Sequence, residues 1–151
     1  MPAQAQAPAQ RRIAPELFPS YPGETVDAPK PRAPDSDHPH GSCELNVPRS
    51  RWLKCLRDTA TVLDAKIDER VSSIAGQIES RPGINPARAR HWRAALEKAQ
   101  EKWREFRNYE CSQVASSERG LGVDGYEAQL LCTLRTGLTR LSDLTHRYPP
   151  E

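Results

Sequence analysis

The chain has 151 residues, 28% of them charged and 36% hydrophobic, with a formal net charge of +2. So mild a balance excludes binding driven by phosphate neutralisation, and residues 41–151 repeat it, with 18 Lys and Arg against 15 Asp and Glu, a net +3. Charged or polar side chains interrupt every apolar segment before the roughly 18 residues that a membrane-spanning helix needs.

Residues 1–41 hold nine of the fourteen prolines, with Ala, Gln and scattered charges, and show neither helical nor strand periodicity. Such composition buries too little apolar surface to offset the entropy of ordering, so this segment is expected to be a disordered or extended arm. Met1 is followed by Pro-Ala-Gln-Ala-Gln-Ala-Pro, which has neither the basic nor the apolar region of a secretory leader. The chain therefore reads as a mature one restarted with methionine. Near the end of the arm, Asp37, His38, His40 and Cys43 bring oxygen, nitrogen and sulfur donors close together. A flexible tail with one disulfide-bonded cysteine outweighs a metal site there, and no cofactor is expected.

From Pro48 the pattern changes. Trp52, Leu56, Ala60, Leu63, Ile67, Val71, Ile74 and Ile78 recur at steps of three and four, which predicts one apolar stripe on a long helix that stops at Arg81-Pro82-Gly83. Asn85-Pro86 supplies an N-cap acceptor and a first-turn proline for a second helix, running through Trp92, Leu96, Ala99, Trp103 and Phe106 toward Cys111 and Val114. So tight a connection predicts an antiparallel hairpin. Ser116 to Val123, with two glycines and no apolar period, reads as a loop. Asp124 and Glu127 form a capping-box variant before a shorter third helix, whose buried face is Leu130 or Leu131, Leu134, Leu138, Leu141 and Leu144. The fold class is all-α: a long hairpin plus a third helix lying across its open end.

Cys43, Cys55, Cys111 and Cys132 are an even set with no Cys-x-x-Cys pair, which fits two disulfides and an oxidising, exported setting. Cys55 and Cys111 are equally far in sequence from Gly83, so both sit near the open end of the hairpin, where the third helix carrying Cys132 also begins. All three pairings remain open. Disulfides leave no thiol nucleophile, and no Ser-His-Asp or Cys-His arrangement is present, so an enzyme is not expected.

Gln100, Trp103, Arg107 and Cys111 follow one another at steps of three, four and four, within an arc of about 80° on a helix. Arg107 is then either a recognition fork for a carboxylate or a buried brace bonding a neighbour such as Asp64, and its line with Trp103 and Cys111 favours the brace. Gln100 and Trp103 read in the same way as structural.

The stretch Gln100-x-x-Trp103-x-x-x-Arg107-x-x-x-Cys111, followed by Cys132, Arg140 and Leu144, resembles the LprI-type lysozyme inhibitor domain of exported bacterial proteins. The resemblance covers residues 42–148 as a domain and is carried chiefly by residues 43–145, including Asp64 and Ile67 upstream. Asn108, Asp68, Val71 and Gly137 depart from residues common in that family, which has Asp, Asn, Tyr and Thr there. Membership implies a periplasmic or secreted helical protein, monomeric, whose partner is a lysozyme or related muramidase. The alternative is a cell-envelope structural or adaptor module that never touches lysozyme. Common animal lysozymes are strongly basic, so a body near +3 gains no long-range steering toward them, and local contacts must carry any inhibition. Glu118, Arg119 and Asp124, in the loop beside the disulfide-bearing end, are the candidate partner contacts.

Overall fold

The computed structural model describes Pro34, residues 38–120 and residues 122–150, all within the unit Pro31–Glu151. The expected arm lies outside the described residues, apart from Pro34 and residues 38–41. Those last residues are turned: Gly41 N–H donates to the His38 carbonyl and Cys43 N–H to that of His40. The His40 ring lies 5.8 Å from that of Trp52.

Helix α1 is Arg49–Ser80, 32 residues and about 48 Å long. Its buried side chains are Leu56, Ala60, Leu63, Ile67, Val71, Ile74, Ala75 and Ile78, the stripe that the sequence period predicts. Pro48 stands just outside the first turn and accepts from the Arg51 and Trp52 N–H groups through its carbonyl. At the far end Arg81 is extended, as a residue before proline must be, and Gly83 takes φ +78° to reverse the chain. Helix α2, Pro86–Tyr109, starts where Asn85 Oδ1 accepts from the N–H groups of Ala87 and Arg88.

The second rod does not stop at Tyr109. It continues through wider π turns over Glu110–Ala115 and a short α3, Ser116–Glu118. Half of the expected loop, Ser116–Glu118 and Val123, is therefore helical, and the connection narrows to the few residues between Glu118 and α4, Val123–Arg147. Gly122, at φ +90°, occupies the N-cap, and no side chain caps the helix. Asp124 sits inside the first turn instead of capping it.

Helix α4 also departs from its expected place across the open end. It runs along α1 in the same direction, packing on it more extensively than α2 does. The reason lies in what α2 offers: its buried residues include only Ala89 and Leu96 as aliphatics, beside Gln100 and Arg107. The leucines that close the core come from α4, with Leu130, Leu134 and Leu144 buried. Each such burial contributes about 2 kcal/mol. Gly137 allows the close approach, since a Cβ there would lie 2.8 Å from Leu63 Cδ2 and 3.6 Å from Ile67 Cδ1.

Two disulfides complete the body, Cys43–Cys55 and Cys111–Cys132. Both pairings are local, spanning 12 and 21 residues, rather than stapling the hairpin through Cys55 and Cys111. Closing loops of that size contributes about 3 kcal/mol each in the chain-entropy picture.

A Gly137→Val variant places a Cβ and two methyl groups against the fully buried Leu63 and Ile67. It should lose about 2 to 3 kcal/mol in urea unfolding, because overpacking exceeds the small gain in helix propensity.

Candidate functional site

The α2 stripe Gln100, Trp103, Arg107 and Cys111 points inward. Arg107 is 4% exposed and Gln100 6% exposed, whereas Phe106 and Ala99, expected in the apolar series, face solvent. Arg107 donates through Nη1 to Asp64 Oδ1 on α1, and through Nη2 to Asp64 Oδ2 at 3.1 Å and Asn108 Oδ1 at 3.3 Å. The planar fork suits this two-point grip on a carboxylate. The same guanidinium lies 4.8 Å from the centroid of the half-buried Trp103 ring.

Arg140 of α4 completes the seam. Its Nε donates to Gln100 Oε1 at 3.0 Å, and its guanidinium lies 5.6 Å from the Trp103 centroid. Burial lowers the Arg140 pKa from its ordinary value, and the nearby Asp143 carboxylate opposes that shift. Two buried atoms of the seam, Arg107 Nε and Gln100 Nε2, have no hydrogen-bond partner among the described residues. Each such group costs roughly 1 to 3 kcal/mol, so the seam exacts a stability cost.

At the opposite end from the Gly83 turn, the Cys111–Cys132 bridge ties the π segment to α4. A cleft of about 560 Å³ opens beside it, lined in part by Arg49, Glu118, Arg119, Asp124, Glu127 and Arg135. All three candidate contact residues lie on this cleft. Asp124 is also engaged internally, since Arg49 pairs with both Asp124 and Glu127 at 2.5 and 2.6 Å. Glu127 accepts in addition from Trp52 Nε1 at 3.2 Å. Sequence reasoning tied Glu127 to its own helix start and so missed its reach to α1; Arg49 and Arg135 carried no signal beyond their charge. Gly125 sets the floor here, because a Cβ on it would fall 2.3 Å from the Gly120 carbonyl oxygen.

No group of three His, Cys, Asp or Glu side chains among the described residues is placed to hold a metal ion. Of the donor cluster near the end of the arm, Asp37 lies outside the described residues and the Cys43 sulfur is in a disulfide. No described helix is long and apolar enough to cross a membrane.

The molecule is thus a disulfide-tied three-helix protein with a polar seam and a charged cleft at one end. The family model of the lysozyme inhibitor LprI matches residues 47–144, and the chain belongs to that family. No curated protein and no solved structure matches it. The family is one of exported inhibitors rather than catalysts, and the two disulfides accord with an oxidising compartment.

Removing Asp64 strands the Arg107 charge inside the bundle. Asp64→Ala should lower stability by about 2 to 3 kcal/mol, less than a fully buried pair would lose because the Asp64 side chain is 37% exposed. Arg107→Met in the same background should recover part of that loss, as read by urea denaturation of the single and double variants.

Proposed function

We propose that the protein binds a lysozyme or related muramidase as a monomer in the periplasm or outside the cell, and blocks its cleft. The observation that carries this reading is the family match across residues 47–144, which spans all three long helices. Muramidases cleave sugar chains between two carboxyl groups held several ångströms apart in a cleft, and a rigid protein edge that enters the cleft excludes the chain. The disulfide-held end supplies such an edge. Glu118 and Arg119 are exposed at the close of α3, and Asp124 stands beside them on α4. Glu118 closes α3 and Asp124 lies in the first turn of α4, with the Cys111–Cys132 bond joining the two rods beside them, so less entropy is lost on docking than from a free loop.

The test is a lytic assay with chicken-type, goose-type and invertebrate-type lysozymes, with calorimetry on the same pairs. Inhibition of at least one class at a 1:1 ratio is expected, and a Glu118→Ala/Arg119→Ala variant should weaken it about tenfold. Absence of both heat and inhibition with every class would sink the reading in favour of a structural or adaptor role in the envelope.

A further inference from the structure

The flank of α2 that turns away from α1 carries an inversion of side chains. Phe106 and Tyr109, one turn apart, are 63% and 68% exposed, while Arg107 between them is buried. Arg104 and Arg107 reach Asp68 and Asp64, which fixes the side of α2 that faces α1. At about 100° per residue, Phe106 projects about 160° from Arg104 and only about 60° from Trp103. It therefore lies on the Trp103 side, where Arg140 of α4 stacks on the indole.

Arg140 is held from two directions, by Gln100 Oε1 on its Nε and by the Trp103 face. Its two Nη groups make no hydrogen bond or ion pair with the described residues. The Arg107 guanidinium is matched by Asp64, whereas that of Arg140 has no such mate, although Asp143 acts on it electrostatically. A half-buried fork with fixed orientation and open donors, on the side of α2 where the Phe106 ring is exposed, has the composition of an interface anchor. Along α4, Cys132, Thr136 and Arg140 follow one another at steps of four, each turning about 40° further, so Arg140 stands about 12 Å along and about 80° around the helix from the Cys132 edge of the cleft.

We propose that this α2–α4 face is a second part of the docking footprint, in which Arg140 receives a carboxylate of the muramidase cleft and Phe106 and Tyr109 pack on its rim. The inference rests on the lysozyme reading above and adds the surface and the chemistry of recognition. Charge complementarity selects the occupant: one oriented guanidinium with open Nη donors on this side, and two cleft carboxyl groups on the other.

The test uses the full, oxidised chain and a lysozyme that the wild type inhibits. Phe106→Ala/Tyr109→Ala should weaken binding at least tenfold in calorimetry, and Arg140→Lys, which keeps the charge and loses the fork, about fivefold. Glu69→Ala, on the exposed face of α1, should bind as the wild type does. A muramidase with its catalytic acid changed to the amide should bind the wild type more weakly yet show little further loss with Arg140→Lys. Thermal unfolding by circular dichroism accompanies each variant; if Arg140→Lys unfolds, the exposed aromatic pair decides alone. Wild-type affinity in the aromatic variant overturns the proposal while leaving lysozyme inhibition standing. A wild type that binds no lysozyme removes both.

Discussion

One buried guanidinium organises this bundle. Arg107 stands where an aliphatic residue would ordinarily close the α1–α2 seam, and a charge so placed is tolerable only with a carboxylate in bidentate reach. Asp64 supplies it from α1. The pairing locks the height of one helix against the other, because a slip by one turn would leave both groups unpartnered. Replacing such a pair with well-packed aliphatics often leaves stability unchanged or raises it, so its contribution here is register rather than net stability.

The third helix follows from the same constraint. With Gln100 and Arg107 occupying the inner face of α2, the long apolar stripe of α1 remains partly uncovered. Helix α4 covers it with Leu130, Leu134 and Leu144, and Gly137 brings the two backbones close. Near the Gly83 end, Trp92 Nε1 donates to Tyr148 Oη at 3.3 Å, and at the other end Cys111 is bonded to Cys132. Helices α2 and α4 are thus tied at two points with a polar seam between them. That leaves the seam's outer edge open to solvent and its inner edge rigid.

Much of this was legible in the chain. The 3.6-residue stripe of α1, the Asn85-Pro86 start and the Gly83 turn are local signals, and each places backbone without help from distant residues. The Gln100-to-Cys111 ladder was legible as a stripe, and its likeness to the LprI family named the domain. The path of α4 was not legible, because it depends on how much of the α1 stripe α2 leaves bare. The π turns of Glu110–Ala115 have no simple sequence mark, and the two glycines further on drew the loop too wide, over Ser116–Glu118. The cysteine pairing could not follow from height in the hairpin, since all four cysteines share one end. Local closure won once the residues before α1 turned back on its first turns and α4 began directly under the π segment.

The exchange of places between Phe106 and Arg107 carries the deepest conflict between levels. Turning the phenyl ring inward and the guanidinium outward would bury about 2 kcal/mol of apolar surface and remove the desolvation of a charge. Stability alone therefore does not account for this face of α2. Natural sequences break such rules mostly where a site is built, and the consequences converge on one place here. Arg107 steadies Trp103, Trp103 and Gln100 hold Arg140, and Phe106 stands exposed on the same side of the helix. The ladder that looks like a brace from within is, from outside, the support of a surface: what it braces is a cation on α4, on the side of α2 where Phe106 stands in water.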